Sequence, residues 1–265
     1  MKVTAPNGTI FTAEKPSPTG WYYEGVAQAS DLVWKALAPL VPERFSAGSY
    51  LSLCATYFSG PRADGLFVHI EPQNGGWGAT SKRDGASGMI AVTDGDTYNY
   101  SIELLEAKFP LLIRRYEYNV ESGAGAGCYR GGFGLVREYE IENDGVVLHA
   151  SYGRTATPPW AVGGGAPGSL NGIEVVRGKT RRRLTRPSDF PLDRGDCVRI
   201  CTGGGGGWGE PHTRDPDCVA HDVRDGLVTA GDATAIYGVV IDPDTQKLDR
   251  AATEKLRAKR PGAAR

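Results

Sequence analysis

The stretch from Gln73 to Gly88, QNGGWGATSKRDGASG, combines glycines with residues that could bind a charged molecule. It carries one tryptophan, two cations and one carboxylate: Trp77, Lys82, Arg83 and Asp84. A lysine or arginine can bind a phosphate or carboxylate group, and a neighbouring tryptophan can exclude water from the pair. Because a plain spacer needs none of these side chains, we predict that this loop binds substrate.

Charged residues in two further motifs each allow two interpretations. Arg130 of the sequence YRGG could provide a second contact to an anionic substrate, or it could stack in a turn and pair with a carboxylate. We keep it among the candidate substrate-binding residues. In the sequence DVRDG, Asp222, Arg224 and Asp225 are expected to form helix-end ion pairs, and facing a binding site is the alternative.

Five consecutive glycines, Gly203 to Gly207, precede Trp208 in the sequence TGGGGGWGEP. A phosphate-binding loop would end in GK[ST], which this sequence lacks. A flexible linker does not fit either, because a strand pattern precedes the run and Trp208, Glu210 and Pro211 follow it. Glycine loses more conformational entropy on ordering than other residues, so an ordered run needs a compensating contact. We therefore predict that this backbone packs tightly against another surface.

The other reactive residue types form no recognisable catalytic or metal-binding motif. The four histidines, His69, His149, His212 and His221, form no HxxxH or HExxH pair, and no GxSxG motif supplies a serine nucleophile. The five cysteines are odd in number and contain no CxxC pair, which favours reduced thiols that pack as small buried apolar residues: Cys54, Cys128, Cys197, Cys201 and Cys218. From these residues we assign neither catalytic residues nor a metal site to the chain.

Composition and charge disfavour several classes of partner. The 265-residue chain has a formal net charge of −1, so no overall field attracts nucleic acid or anionic lipid. A basic cluster lacks interleaved aromatic residues and is expected to be a solvated face or to meet an acidic partner surface: Lys179, Arg181, Arg182, Arg183 and Arg186. The sequence has neither a membrane-length apolar run nor a signal-peptide pattern. We expect a cytoplasmic protein that binds neither nucleic acid nor membrane.

The elements that must position these residues follow from hydrophobic periodicity. Apolar residues at helical spacing predict an amphipathic helix from Tyr22 to Leu40, packed on the core. Tyr50 to Phe58 and Gly65 to Pro72 read as neighbouring strands, separated by a turn. A short helix from Ser101 to Phe109 and a strand from Leu111 to Val120 follow.

The second half of the chain reads as further strands and then short helices. Two alternating runs between Gly132 and Gly153 are joined through Asn143, Asp144 and Gly145, which predicts a tight hairpin. Asp215 before Pro216 predicts a helix start and Gly226 a stop. The tail 243–265 reads as one helix with a frayed basic end. The predicted fold is therefore α+β in one domain, 1–265, with a largely antiparallel β core, one N-terminal amphipathic helix and short C-terminal helices.

Three stretches taken together resemble a known family. NGGWGATSKRDGASG from Asn74, GAGAGCYRGGFGLVREYEI from Gly123, and the stretch from Gly203 to Val240 with its GGGGxGxP, RDP and DVRDG motifs match in order and spacing. They resemble the C-terminal half of the hydantoinase B/oxoprolinase family, over about Val3 to Asp242. That family includes subunits of N-methylhydantoinases, 5-oxoprolinases, and acetone and acetophenone carboxylases.

The resemblance implies a function in a complex. It implies hydrolysis of a cyclic amide of the hydantoin or 5-oxoproline class, together with a hydantoinase A-like subunit that binds ATP and phosphorylates the substrate. A ketone carboxylase subunit and a non-catalytic assembly subunit or truncated remnant are the alternatives. The family's metal-binding residues belong to an N-terminal half that this sequence lacks, so we expect a second partner chain to supply that half. ATP with Mg²⁺ and a divalent metal are accordingly expected on partner chains, and no cofactor on this chain alone.

Overall fold

Two antiparallel sheets form the centre of the molecule. The computed structural model describes residues 4–9, 12–17, 22–95 and 97–259. One sheet has four strands, namely β1 (Ala55–Arg62), β2 (Gly65–Glu71), β5 (Val146–Ser151) and β8 (Phe190–Leu192), in the order β2-β1-β5-β8. The other has five, namely β3 (Leu111–Tyr118), β4 (Leu135–Ile141), β6 (Gly172–Arg177), β7 (Thr180–Leu184) and β9 (Cys197–Cys201), in the order β3-β4-β9-β6-β7.

Five α-helices and two short 3₁₀ helices surround the sheets in the described part of the chain. The α-helices are α1 (Tyr22–Leu37), α2 (Ile102–Lys108), α3 (Pro216–Arg224), α4 (Ala230–Tyr237) and α5 (Arg250–Ala258). The 3₁₀ helices span Pro42–Arg44 and Pro211–Thr213. The predicted α+β class with a mainly antiparallel β core is therefore confirmed, as are the helix at Ser101 to Phe109 and the neighbouring pair β1 and β2. None of the described helices has the length and apolar character needed to cross a membrane.

The two sheets face each other across one apolar core. Phe58 and Leu148 point inward from the four-stranded sheet, and Tyr139, Val198 and Ile200 point inward from the five-stranded sheet. Inward residues alternate with more exposed ones along most strands, which is the pattern expected when each sheet buries one face.

A charged cluster is enclosed in this core. The Glu71 carboxylate lies 2.6 Å from an Arg137 guanidinium nitrogen, and Tyr139 donates to it at 2.9 Å. His69 Nε2 lies 3.3 Å from the same carboxylate, and Gln73 donates to the Tyr139 hydroxyl at 3.0 Å. All five side chains are buried. Because Glu71 ends β2 and Arg137 belongs to β4, the pair ties one sheet to the other.

The predicted hairpin through Asn143, Asp144 and Gly145 is wrong, although a turn does lie there. β4 pairs with β3 and β9, whereas β5 pairs with β1 and β8. The chain therefore crosses from one sheet to the other at this turn. Turn chemistry fixes a reversal of direction, but it does not specify the strand with which the next strand pairs.

Two predicted element boundaries also differ from the structure. β1 begins at Ala55 rather than Tyr50, since Leu51 and Cys54 have positive φ values of 31° and 45° that interrupt an extended strand. α1 ends at Leu37 rather than Leu40, and its predicted apolar stripe does not face the core. Val26 and Val33 are exposed, and Ala27 and Asp31 are buried.

The run Gly203–Gly207 lies between other glycine-rich segments, and its backbone bonds to them directly. Gly203 O accepts from Gly76 N at 2.9 Å, and Gly205 N donates to Gly132 O at 2.9 Å. Gly206 N donates to Gly48 O at 2.8 Å. We call this assembly of segments 75–79, 123–134, 160–168 and 203–209 the glycine layer.

Close backbone approach explains why the glycine layer excludes side chains. A Cβ at Gly205 would lie 2.0 Å from Trp77 O, and one at Gly207 would lie 2.0 Å from Ala126 O. Both distances are far below van der Waals contact, so a larger residue would force the segments apart. The prediction that the run packs tightly against another surface is confirmed.

The C-terminal helices pack on one side of the glycine layer. Asp215 caps α3 by accepting from Asp217 N, and Pro216 occupies the first turn, as predicted. Val219, Ala233 and Tyr237 form a second apolar cluster together with Ala126 of the layer. Within the predicted tail 243–265, α5 is helical, and the expected frayed end after 259 lies outside the described residues. This packing brings α3 against the loop 73–88.

Candidate functional site

An open cleft of about 590 Å³ lies between the loop 73–88 and the start of α3. Its walls come from three parts of the sequence: Arg83, Asp84, Cys128, Tyr129, Thr213, Arg214, Asp215, Pro216 and Cys218. The glycine layer holds these parts together, because Gly85 N donates to Arg130 O and Tyr129 N donates to Trp208 O. The cleft has the volume of a site for a small molecule.

Two of the predicted substrate-binding residues line the cleft directly. Arg83 is exposed and its guanidinium pairs with no carboxylate among the described residues, so it is available to an anion. Asp84 is half-buried and accepts a hydrogen bond from Arg130 N at 2.9 Å. Asp84 thereby links the loop to the YRGG turn.

The other loop residues lie elsewhere. Lys82 is exposed and does not line the cleft. Trp77 packs against the core between the sheets, and its indole N–H donates to Ile90 O at 2.7 Å. The tryptophan therefore anchors the base of the loop. Its predicted contact with substrate stays a prediction.

Four charged residues behind the cleft form a closed arrangement, which we call the cleft cluster: Asp84, Arg130, Arg214 and Asp222. Arg214 donates to both oxygens of Asp84 at 2.6 and 2.7 Å, and to Asp222 at 2.8 Å. Arg130 donates to both oxygens of Asp222 at 3.1 and 2.9 Å. Two guanidinium groups thus meet two carboxylates, and their charges balance.

Burial and charge act in opposite directions on Arg214. Burial alone would lower the pKa of its guanidinium, but the hydrogen bond and charge of Asp84, followed by those of Asp222, outweigh burial and raise it. Its Nε is buried without a hydrogen-bond partner among the described residues. Arg214 therefore stays charged, and its bonds to Asp84 and Asp222 link the loop 73–88 to α3.

Arg130 adopts the second of its two predicted arrangements. Its guanidinium pairs with Asp222 and lies 4.9 Å above the ring of Phe133. Asp222 is buried in the cleft cluster rather than at a helix-end pair, whereas Arg224 and Asp225 do form an exposed pair at 2.9 Å. A substrate contact by Arg130 stays a prediction.

Sequence reasoning missed Arg214, although a signal was present. Arg214 begins the RDP motif, and Asp222 begins the DVRDG motif. Both motifs carry the family resemblance, but local sequence does not show that Arg214 reaches Asp84, 130 residues away, and Asp222 at the same time.

Two cysteines in the cleft wall were also unexpected there. Cys218 is exposed, and Cys128, Cys197 and Cys201 are half-buried, so the prediction of buried thiols is correct for Cys54 alone. The cysteines are free thiols, as predicted.

The cleft offers a cation, Arg83, and polar groups of Tyr129 and Thr213 for binding a polar molecule. Among residues 4–9, 12–17, 22–95 and 97–259, no group of three or more His, Cys, Asp or Glu side chains is arranged to hold a metal ion. The guanidinium of Arg83, which pairs with no carboxylate in the described part of the chain, suits recognition of an anionic group.

Comparison with known proteins identifies the family. The sequence model of the hydantoinase B/oxoprolinase family matches residues 1–211 of this chain. The chain belongs to the hydantoinase B/oxoprolinase family. The match covers the sheets and the glycine layer.

Three relatives show the range of the family. A protein from Pseudomonas sp. (strain NS671), provisionally named as the B component of a D-/L-hydantoinase, is 31% identical over 97% of this chain and 43% of its own length. The crystal structure of ATP-dependent caprolactamase from Pseudomonas jessenii superimposes with a TM-score of 0.77 at 27% identity, over 97% of this chain and 46% of that chain. The acetophenone carboxylase delta subunit of Aromatoleum aromaticum (strain DSM 19018 / LMG 30748 / EbN1) is 27% identical over 59% of this chain and 27% of its own length. This chain spans less than half the length of the curated relatives it matches.

Proposed function

We propose that this chain is part of an ATP-dependent complex that hydrolyses a cyclic amide of the hydantoin or 5-oxoproline class. The observation that carries the proposal is the likeness to ATP-dependent caprolactamase over 97% of this chain. Caprolactam is a cyclic amide, and the hydantoinase relative is named for another cyclic amide. Membership of the same family makes ring opening the best-supported class of reaction.

The reaction needs energy because a resonance-stabilised amide resists attack by water at neutral pH. In the proposed sequence, a hydantoinase A-like partner takes up ATP with Mg²⁺ and transfers the γ-phosphoryl group to the carbonyl oxygen, which releases ADP. Water then adds to the activated carbon, and the C–N bond of the ring breaks as the nitrogen takes up a proton, which leaves an acyl phosphate. A second water hydrolyses the acyl phosphate to the carboxylate and free phosphate. A divalent metal on the partner chain that supplies the remaining half of the family sequence would provide hydroxide.

This chain contributes the cleft and its supports. Arg83 is placed to attract the phosphate or carboxylate group of the activated substrate, because its charge is not taken by a described carboxylate. The cleft cluster holds the loop that carries Arg83, with Arg214 bonded to Asp84 next to it. The proposed division of labour is that this chain positions the substrate and partner chains supply ATP and metal.

A ketone carboxylase subunit is the second candidate. The likeness to the acetophenone carboxylase delta subunit favours it, although that match covers only 59% of this chain. In that reaction, ATP would phosphorylate the enolate oxygen of a ketone that has lost its α-proton. The enol carbon would then form a C–C bond to CO₂, and water would release phosphate as the ketone carbonyl re-forms. The same cleft and the same anion contact would serve either reaction.

The test is recovery of the complex through a tag on this chain, in the native host. The recovered proteins are identified by mass spectrometry, and ATP hydrolysis is measured with hydantoin, 5-oxoproline, acetone and acetophenone. We expect a hydantoinase A-like chain, a chain with the remaining half of the family sequence, and ATP hydrolysis stimulated by a cyclic amide. Stimulation by ketones with fixation of labelled bicarbonate would identify a carboxylase. Recovery of this chain alone and inactive would contradict both and identify an assembly protein or remnant.

A further inference from the structure

The outward side chains of the five-stranded sheet form a series of ion pairs that crosses all five strands. Glu138 of β4 lies 3.8 Å from Arg115 of β3 and 2.5 Å from Arg199 of β9. Glu174 of β6 continues the series, 3.6 Å from Arg199 and 3.6 Å from Arg181 of β7. Charges that alternate in sign from one strand to the next suit a sheet face that stays in water.

The outward side chains of β2, in the other sheet, are apolar. Leu66, Val68 and Ile70 are 81%, 59% and 52% exposed, and they alternate with the buried residues Phe67 and His69. A strand that carries apolar residues on both of its faces is typical of a sheet covered on both sides. β2 thus has the sequence of a strand covered on both faces, although its outer face is exposed.

The apolar surface continues from β2 onto the neighbouring strands. Leu66 pairs with Pro61 of β1, and Val68 pairs with Ser59, which in turn pairs with Val147 of β5. We call Pro61, Leu66, Val68, Ile70 and Val147 the apolar face. The exposed ion pair of Arg62 and Asp64 lies at the end of the β1–β2 hairpin, beside this face. An apolar centre with charges at its edge is the usual composition of a protein–protein interface.

We propose that the apolar face is the docking surface for the polypeptide that carries the remaining half of the family sequence. This chain spans only 43% and 45% of the length of two relatives, so more than half of the family polypeptide lies outside it. A permanent contact between two halves of one functional unit favours an uncharged, apolar surface, whereas a transient partner favours a more polar one. The inference rests on the proposed function, because the partner is one of the two proposed there.

Matched charge substitutions on the two outer faces test the inference. The full chain, tagged and carrying Val68→Glu or the control Arg181→Glu, is co-expressed with the host polypeptide that carries the remaining half. A carboxylate buried in an apolar contact is costly, so we expect Val68→Glu to lower the recovered partner at least about tenfold. Arg181→Glu places the same residue on the water-facing sheet, and recovery should change less than about twofold. Both positions are exposed, so both variants should fold, and Arg181→Glu should melt slightly below the wild type because it places a second carboxylate beside Glu174.

A photocrosslinker at position 68 identifies the occupant directly, and a crosslinked peptide from the co-expressed partner is expected. A crosslink to a second copy of this chain would overturn the inference, as would full recovery of partner by Val68→Glu. Loss of partner on Val33→Glu in α1, without loss on Val68→Glu, would place the contact on that helix instead and equally overturn it.

ATP-dependent turnover is measured separately, so that the two proposals can fail independently. If Val68→Glu releases the partner from a complex without turnover, the docking surface stands and the proposed function fails. If Val68→Glu leaves an active complex intact, the proposed function stands and the docking surface fails.

Discussion

The interior of the two-sheet core and the glycine layer are held together in opposite ways. In the core, side chains make the contacts, and even the charged residues Glu71 and Arg137 are enclosed between the sheets. In the glycine layer, backbone contacts backbone, as where Gly205 N donates to Gly132 O at 2.9 Å. Side chains in the core can therefore repack around a substitution, whereas at the glycine contacts of the layer no side chain separates the two backbones. The candidate site lies on the less tolerant of the two regions, which fixes the loop that carries Arg83.

Gly205→Ala should give the largest loss of stability, because its Cβ would lie 2.0 Å from Trp77 O. Neither backbone can move without breaking neighbouring hydrogen bonds, so we expect a loss of more than about 4 kcal/mol in the free energy of unfolding. Chemical denaturation measures it. Gly95→Ala is the control, since nothing lies within 4 Å of a Cβ at that glycine. Equal stability of the two variants would contradict backbone packing as the basis of the layer.

Arg137→Met tests the core. Removing the guanidinium leaves the Glu71 carboxylate buried with only neutral donors and His69 nearby, and we expect a loss of about 3 kcal/mol in the free energy of unfolding. Adding Glu71→Gln to the same chain should recover part of that loss, since it removes the unpaired charge. If Glu71→Gln destabilises the Arg137→Met variant as much as it destabilises the wild type, the two residues do not interact as described.

Asp222→Asn tests how α3 is held on the glycine layer. It removes the charge that Arg130 and Arg214 share, while Arg214 keeps Asp84, so we expect a smaller loss of about 2 kcal/mol. Asp225→Asn alters only an exposed pair with Arg224 and should leave the denaturation midpoint unchanged. A midpoint unchanged in Asp222→Asn would show that the cleft cluster does not tie α3 to the loop.

Acid should destabilise the wild-type protein more than it destabilises a Glu71→Gln variant. Burial alone would raise the pKa of Glu71, but the hydrogen bond from His69 and the charge of Arg137 outweigh it and lower the pKa below its ordinary value. A carboxyl with a lower pKa in the folded state stabilises the protein above its unfolded pKa of about 4.3 and loses that contribution as pH falls through the folded pKa. The free energy of unfolding should thus fall more steeply below about pH 4.3 in the wild type than in Glu71→Gln. If the free energy of unfolding depends on pH in the same way in both proteins, the pKa of Glu71 is not lowered in the folded state.

Arg83→Ala should have the smallest effect on stability and a clear effect on activity. The side chain is exposed and unpaired among the described residues, so the free energy of unfolding should change by less than about 0.5 kcal/mol. In the complex, we expect kcat/KM to fall about tenfold, with Arg83→Lys retaining more activity than Arg83→Ala. Lys82→Ala is the matched control, because Lys82 is exposed outside the cleft. If Arg83→Ala, Arg83→Lys and Lys82→Ala have equal activity, Arg83 does not bind the substrate.

Local patterns in the sequence predicted most elements and the nature of the glycine run. The absence of a lysine after Gly207, and the strand before Gly203, were enough to favour backbone packing over phosphate binding. The start of α3 at Asp215 and Pro216 could also be predicted from local sequence, because a helix cap depends on neighbouring residues.

Contacts between distant segments were beyond local patterns. The turn at Asn143 to Gly145 gave no information on which sheet receives β5. In the strand LVREYEI, alternation places Arg137 on the same face as Tyr139 and Ile141, but only its pairing with Glu71 on the other sheet explains how a guanidinium is buried there. Arg214 and Asp84 meet for the same reason, through tertiary packing of α3 on the glycine layer.

Counting products against ATP in the purified complex tests the central claim most directly. Ring-opened product and ADP are quantified together with hydantoin or 5-oxoproline as substrate, with and without ATP. The proposed reaction predicts one ADP for each ring opened and no ring opening when ATP is omitted. Ring opening without ATP, or ADP formation that is independent of every cyclic amide tested, would contradict the account.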